Sequence, residues 1–561
     1  MIRDLDGFAG DALPTYDLCI VGSGPAGTTL AAELAGSGLS VCVLESGRLG
    51  VTAHGDSLRP VESKGIHVKD YSRERVLGGA STTWAGLASP LDEIDFADRP
   101  WLDHSGWPIP RAELLPHWES AAARYRFPPR DYFSSEGGFG ALRAESEVQP
   151  RWEVLDEKIF LAAAQAQNFG REWRHIYEGE AGGCDAWLDA TVVSLATEAD
   201  GAVRAARLRT RGGRDFELEA RVFVLATGSL ENARLLLNST DTSPAGLGNE
   251  HDQVGRYLMN HPKNYHGMLH LARPTGDLPF YYGCLYQGFA GYAGLRLSES
   301  YQREHELLNS YVRFEPIFPW TDNRGVEALV LFAKRSAFLM KRFKGGGKKD
   351  EVVALRDYSE TGDDSDLQNE RKSLFEWLRL ALYVPLDLPS VLHYLKYRLV
   401  TKAKPRITRV RLRNFMEMEP HPDNRVVVIE ERDSVGARRT LVQHDTTEKD
   451  RRALVELHQV LARELESQGV GRLETALAET DPWPIDEEAS HHLGTTRMGE
   501  DPRTSVVDPN QRVHGVQNLY VAGGSVFPTS GCANPTYTIV ALSIRLAEHL
   551  RSRVLGQEGQ A

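Results

Sequence analysis

The chain has 561 residues, 41% of them hydrophobic and 25% charged, with 65 Lys and Arg against 78 Asp and Glu for a formal charge of −13. At about 150 residues per domain this length allows two to four units, and the acidic balance argues against a nucleic-acid partner, whose phosphates such a surface repels. No apolar run reaches the ~18 residues of a membrane span, and the five cysteines, Cys19, Cys42, Cys184, Cys284 and Cys532, are scattered without a C-x-x-C pair, as expected for reduced thiols. The first residues carry acids and glycines where a signal peptide needs an apolar centre, so a cytoplasmic protein is expected.

The stretch from Tyr16 to Gly47 reads as strand, tight turn, helix, strand. Leu18 to Val21 and Val41 to Leu44 are apolar enough to be buried on both faces of a sheet. Between them Gly22, Gly24 and Gly27 form a G-x-G-x-x-G pattern in strand-helix context. The first glycine permits the turn, the second lets a pyrophosphate approach the backbone, and the third lets the helix pack on the strand. Small residues continue through Thr28, Ala31, Ala32 and Ala35, so the positive helix end can face phosphate. Glu45 closes the second strand where an acid accepts hydrogen bonds from a ribose, and Ser46 follows it. The pattern leaves FAD and NAD equally open.

Arg75 to Gly86 then brings Gly78-Gly79, the hydroxyl residues Ser81, Thr82 and Thr83, and Trp84, a loop able to lie flat against a planar group. The blander alternative is a surface loop anchored by a tryptophan. On these residues and those at the C-terminal end, the chain resembles the glucose-methanol-choline (GMC) oxidoreductases, FAD-dependent enzymes that oxidise alcohols. The G-G-x-S-x-x-W loop resembles the pyranose oxidase and sugar dehydrogenase branch, where it runs beside the isoalloxazine. Where pyranose oxidases carry a histidine joined to the flavin, this sequence has Thr83, which implies non-covalent FAD.

Residues 100–180 are expected to be connecting structure and part of a lid, with a helical patch at Glu157 to Gln167. Short strands follow at Ala190 to Leu195, Val203 to Thr210 and Phe216 to Ala220, then a buried strand from Arg221 that ends at Thr227-Gly228. The resemblance implies that this meander returns to the FAD sheet, with backbone near Val192 and Val193 facing adenine. Glu231 to Leu237 is expected to be helical. Val254 to Pro262 resembles the family's G-R-x-L-x-D/N-H-P; standing alone it would read as a helix end stopped by proline.

From residue 263 the pattern changes to alternating stretches, His266 to Leu271, Glu327 to Ala333, Val410 to Met418 and Arg425 to Ile429, which predict an antiparallel sheet. The family places its substrate domain here. An insertion at about 335–404 interrupts it: basic from Lys334 to Lys349 with a triple glycine, acidic from Asp350 to Glu370, then Leu- and Tyr-rich with Pro385 and Pro389 separating two helices. A hairpin packed on its own domain is the preferred reading over a lid or a face that rests on a membrane or an electron-accepting partner.

The chemistry concentrates near the C-terminal end, in Ser490-His491-His492-Leu493-Gly494-Thr495, Val521-Ala522-Gly523-Gly524-Ser525 and Ala533-Asn534-Pro535-Thr536. Alcohol oxidation removes a hydroxyl proton and a carbon-bound hydride, and imidazole is the natural proton acceptor near neutral pH. The family's H-x-x-G-T register selects His491 as this base, and N-P-T aligns Asn534 as a neutral donor to the developing alkoxide. Adjacent histidines in extended backbone point to opposite sides, so His492 is expected to face away. A zinc pair fails for want of a further ligand at suitable spacing, and no metal is expected. Pro535 and Thr536 begin a predicted helix whose positive end faces the flavin. Gly523-Gly524 stands where many family members carry an acid, again as in the sugar-oxidising branch.

The expectation is an α/β chain: an FAD-binding Rossmann-like domain from residues 1–262 and 482–561, and a substrate domain on an antiparallel sheet over 263–481. The implied reaction is oxidation of a hydroxyl of a sugar, glycoside or sugar-like compound, aminosugars included, with His491 taking the proton and flavin N5 the hydride. The electron acceptor stays open among oxygen, quinone and a protein carrier. Two rivals are a membrane-surface dehydrogenase and a redox-silent flavin-binding lyase.

Overall fold

The computed structural model describes residues 1–163, 165–178, 183–276, 278–335, 374–401, 405–485 and 490–556. Tyr16–Val21 lies inside an eight-stranded sheet, flanked in parallel by Val41–Leu44 and by Asp215–Leu225. Cys184–Leu188 and Ile2–Asp4 extend the parallel part beyond Val41–Leu44. Leu519–Val521, from the far end of the chain, adds in parallel to Asp215–Leu225. Val203–Arg209 and Thr191–Thr197 complete the sheet as an antiparallel meander. The two segments predicted at 216–220 and from 221 are one continuous strand.

The strands of the parallel part are buried on both sides because helices cover them. Pro25–Leu34, with Leu30, Ala31 and Leu34 almost fully enclosed, packs beside Thr536–His549, whose Leu546 and Ala547 share its apolar core. Sequence neighbours thus supply one helix and residues some five hundred positions later the other, both packed in the apolar core that encloses Leu18, Ile20 and Val43.

A second eight-stranded sheet is antiparallel. Phe289–Leu297 pairs with Leu155–Ala163 along its whole length, Tyr311–Pro316 pairs with Ile407–Phe415, and Met268–Thr275 lies between Ile407–Phe415 and Gly471–Glu474. Glu448–Ser467, opened by the Thr447 capping box, buries Leu454, Leu457 and Leu461 beneath it. A third, smaller sheet joins Arg425–Arg432 and Arg438–His444 to Glu62–Gly65 from the N-terminal part.

Three local readings are corrected. Glu157 to Gln167 is not helical: Leu155–Ala163 is a strand, because Ile159, Phe160 and Leu161 gain a partner strand more than a hundred residues away. Glu327 to Ala333 is not a strand but part of the helix Arg324–Arg335, in which Val326, Leu329, Val330 and Ala333 recur at helical spacing. A short apolar run does not separate the two states by itself, and burial decides. Arg425 to Ile429 is a strand, but in the small third sheet.

Of the insertion, the basic run from 336 with its triple glycine and the acidic run to 370 lie outside the described residues, as do 371–373 and 402–404. The two helices Leu374–Leu386 and Leu388–Lys396 meet at Asp387, between the two prolines. Asp387 accepts a hydrogen bond from the Gly325 N–H at 2.9 Å, and Val391 and Tyr394 pack into the second core, Tyr394 against Trp320.

Candidate active site

At the carboxyl end of Tyr16–Val21 the chain turns through Gly22 with φ +101°. A Cβ there would stand 2.6 Å from the Ala226 carbonyl oxygen, and one on Gly27 would stand 1.9 Å from the Gly22 carbonyl oxygen. Glycine is therefore required at both positions, one for a left-handed backbone and one for close helix packing. A Cβ on Gly24 would meet nothing within 4 Å, because that face opens on a cleft. No side chain caps the helix Pro25–Leu34, so its first-turn N–H groups face the cleft with the positive end of the helix dipole.

Glu45 and Ser46 line the same cleft. The Glu45 carboxylate accepts from the Ser23 hydroxyl, from the Ser23 N–H at 3.2 Å and from the Gly47 N–H at 2.8 Å. Burial raises its pKa against the opposing pull of those hydrogen bonds. The Gly78–Thr83 loop lies against the glycine turn: the Gly78 N–H donates to the Ser23 carbonyl at 3.1 Å, and a Cβ on Gly79 would come within 3.0 Å of Gly24 Cα. Gly79 lines the cleft. Ser81 does structural work behind it, donating to the Gly78 carbonyl at 2.6 Å and accepting from the Phe169 N–H. The Thr83 hydroxyl donates to the Ala80 carbonyl, and Trp84 anchors the loop through a 2.6 Å hydrogen bond to the Gln167 carbonyl.

Val193, Thr227, Gly524, Pro535 and Thr536 complete the cleft among the expected residues. Thr227 is locked to the Asn232 side chain by its N–H and its hydroxyl. Pro535 and Thr536 open the helix Thr536–His549, so a second helix N-terminus meets the cleft. Asn534, half-buried just before them, is not among the residues that line it.

His491 also lines this cleft, on a strap drawn between two remote segments. Met259 and Leu493 exchange backbone hydrogen bonds at 3.0 Å, while the N–H groups of Gly494 and Thr496 donate to the carbonyls of Gly524 and Ser525. A Cβ on Gly524 would meet Leu493 at 2.5 Å, which explains a glycine where the strap crosses. His491 Nδ1 lies 2.8 Å from His261 Nδ1, ring edge to ring face at 85°. The Asn260 side-chain oxygen accepts from the backbone N–H of both His261 and His491, each at 2.9 Å. The segment Val254 to Pro262 is not a helix end but an irregular turn with Gly255 and Tyr257 at positive φ. Asn260 and His261 lie in that motif, and sequence reasoning did not single them out for the site.

His492 does not face away as expected: it lines the same cleft as His491. Its pKa is pushed down to about 3, first by burial and then by the neighbouring His444 and Arg73, so it is neutral.

The cleft also holds an ionic cluster that sequence reasoning missed. Arg73, Arg75 and Arg234 surround Glu231, with Asp433 bonded to Arg234. Burial opposes ionisation of Glu231, but the three guanidinium groups outweigh it and hold that carboxyl far below its usual range. These three guanidinium groups line the cleft together with Glu231 and Asp433, and with Glu45 and Glu74. The signal of this cluster was weak, since isolated arginines before a glycine loop are mostly solvated.

An FAD molecule fits these residues. The glycine turn leaves room for a pyrophosphate, two helix N-termini suit its charge, and Thr191 Oγ1 and His492 Nε2, both buried at the cleft, have no hydrogen-bond partner in the protein. Gly22, Gly24, Glu45, Val193 and Thr227 would hold it, with Pro535 and Thr536 at the end where His491 stands. Among the described residues no cluster of His, Cys, Asp and Glu is arranged to hold a metal ion.

Comparison with known proteins agrees. Residues 420–543 match the family model described as GMC oxidoreductase. The chain is 24% identical over 368 residues to the fructose dehydrogenase large subunit of Gluconobacter japonicus, an alignment over 64% of this chain and 52% of that one, so it spans about half the length of that relative. It is 23% identical over 603 aligned positions to 6'''-hydroxyparomomycin C oxidase of Streptomyces lividus, covering 97% and 93% of the two chains. Among solved structures, pyridoxine 4-oxidase from Mesorbium loti shares the fold with a TM-score of 0.50 at 17% identity, over 95% of this chain and 99% of that one. The GMC oxidoreductase pattern thus falls on the strap and the start of the final helix, and an oxidase resembles the chain nearly end to end at 23% identity.

Proposed function

We propose that the chain oxidises a hydroxyl of a sugar, glycoside or sugar-like compound to a carbonyl. One observation carries the reading: the glycine turn and His491, far apart in the chain, line a single cleft. The names of the relatives, one a fructose dehydrogenase and one an oxidase of a hydroxyparomomycin, support the substrate class. When bound, FAD supplies the acceptor for the carbon-bound hydride. His491 takes the hydroxyl proton, so that the carbinol loses one proton and one hydride together. The Asn534 amide, next to the cleft-lining Pro535, is assigned to donate to the developing alkoxide. FAD is held without a covalent bond, since Thr83 offers a hydroxyl already engaged with the Ala80 carbonyl where a histidine would be the point of attachment; acid precipitation should release the yellow colour to the supernatant.

The test is anaerobic bleaching of the bound flavin by a panel of sugars and glycosides. His491→Ala should slow bleaching by roughly 10²- to 10⁴-fold, the usual worth of a general base, while flavin content is unchanged. Bleaching at the parental rate would overturn the base assignment, and a panel that binds without bleaching would favour the redox-silent rival.

A second reading has its own observation. On the helix Leu374–Leu386, Phe375 is 77% exposed and Leu386 75%, with Leu378 and Leu382 between them on the same stripe and Leu388, Leu392, Leu399 and Val400 exposed beyond. Lys396 and Arg398 flank that ridge. No helix among the described residues is long and apolar enough to cross a membrane, but such a ridge suits a bilayer surface. Flotation with anionic vesicles that is lost in Leu382→Glu supports a membrane-surface dehydrogenase; a protein that stays at the bottom of the gradient rejects it. Free, buried Cys19, Cys42, Cys184 and Cys532 support a cytoplasmic location, which recovery in a secreted fraction would refute.

A further inference from the structure

We infer that His261 is the positioning residue for His491: it sets the tautomer in which His491 presents the Nε2 lone pair, and not an N–H, to the substrate. The inference rests on the assignment of His491 as base and deepens it.

Hydrogen-bond polarity runs along a short chain of groups. His261 Nε2 is 2.9 Å from the Gly531 carbonyl oxygen. A carbonyl only accepts, so this nitrogen carries the proton. Burial lowers the His261 pKa against the favourable pull of the Gly531 and Ser530 carbonyls, so the ring is neutral and its Nδ1 is a lone pair. That Nδ1 faces His491 Nδ1 at 2.8 Å, a distance two lone pairs do not share. His491 must therefore donate from Nδ1, and its neutral ring keeps the basic lone pair on Nε2. When His491 gains a proton at Nε2, its Nδ1–H still points at an acceptor, so the imidazolium is stabilised where it forms.

The polarity is anchored from behind. The Gly531 N–H donates to Glu417 at 3.2 Å, and Glu417 is gripped by both Arg99 guanidinium nitrogens at 2.9 and 2.7 Å, with both side chains fully buried. Burial opposes ionisation of Glu417, but Arg99 overrides it and keeps the carboxylate charged. The Ser530–Gly531 peptide unit is thereby held with its Ser530 carbonyl 3.4 Å from His261 Nε2, beside the Gly531 carbonyl that follows it. Asn260 fixes the other coordinate by binding both backbone N–H groups. Every partner of the pair on the His261 side is rigid, as a group that dictates a tautomer has to be.

The experiment uses the full-length, flavin-loaded protein with 15N-labelled histidine. His491 signals, assigned by their loss in His491→Ala, should show a protonated Nδ1 and an imine-type Nε2 in the neutral ring. Observation of the opposite tautomer in the parent protein overturns the inference without any further variant. His261→Gln offers a carbonyl to His491 and an amide to Gly531, so it should keep the tautomer and lose less than about tenfold in bleaching rate. His261→Leu should scramble the tautomer and lose roughly 10²-fold in rate with little change in the substrate concentration that half-saturates. If His491→Ala is inactive while His261→Leu keeps both the tautomer and the rate, His261 has no positioning role although the base assignment stands. If His491→Ala is active, the base assignment falls and the inference with it.

Discussion

The two ends of the cleft are built by different means. At the glycine turn the wall is backbone: Gly22 and Gly27 are there because any side chain would strike a carbonyl, that of Ala226 for the first and that of Gly22 for the second. At the imidazole end the wall is mostly side chain: His491, His261, Asn260, Gly531 and Glu417 come from four segments well separated in the chain and are aligned by hydrogen bonds. The first end is shaped by the space that glycine leaves. The second end works through the placement of single protons, so it needs a rigid, satisfied polar network.

This contrast is most sharply broken by Glu417→Leu. It leaves Arg99 buried without its partner, for an expected loss of about 3–5 kcal/mol in chemical denaturation, and it frees the Gly531 peptide, so turnover should fall further than flavin content does. Arg99→Met combined with Glu417→Leu should recover much of the stability and none of the turnover. Equal recovery of both would show that the ion pair serves stability alone.

Gly27→Ala attacks the other end. The added Cβ stands 1.9 Å from the Gly22 carbonyl oxygen, so overpacking should cost about 1–3 kcal/mol. Flavin content, read from absorbance per protein, should drop, whereas the bleaching rate per bound flavin stays near the parental value. A normal flavin content with a depressed rate would reverse the roles given to the two ends.

The smallest effect concerns a third histidine, outside the cleft. His458 bridges Thr475 and Asn414 at 2.9 and 2.8 Å, and burial pushes its pKa down to about 3. An unfolded histidine takes a proton near pH 6.5, so the folded state is intact above that value and loses stability as pH falls toward 3, where only the unfolded chain is protonated. The slope is about 1.4 kcal/mol per pH unit from this one group. His458→Gln keeps hydrogen-bonding capacity but does not titrate. Its stability deficit at pH 7.5 should therefore shrink at that rate between pH 6.5 and 5 in urea titrations, and a deficit that stays constant would mean the buried ring is not what the acid limb reports.

The legibility of these regions in the sequence follows the same division. Local patterns were enough for the turn, for the strands Tyr16–Val21 and Val41–Leu44, and for the helices Pro25–Leu34 and Thr536–His549, because glycine positions and apolar periodicity act over a few residues. They failed at Leu155–Ala163 and Arg324–Arg335, where the same apolar composition suits strand or helix and a distant partner decides. The arginine cluster around Glu231 was invisible for a related reason: Arg73, Glu231 and Asp433 acquire meaning only when buried together.

The sequence by itself determined a nucleotide-binding turn, a C-terminal histidine pair in the register of a known family, and the expectation that one of the two would serve as base. Only the tertiary structure decided which groups stand around that imidazole. Asn260 and His261 reach His491 because the pairing of Met259 with Leu493 lays two segments side by side. The proton on an imidazole is placed by whichever acceptor stands opposite it, and that is a property of contact in space, not of order along the chain.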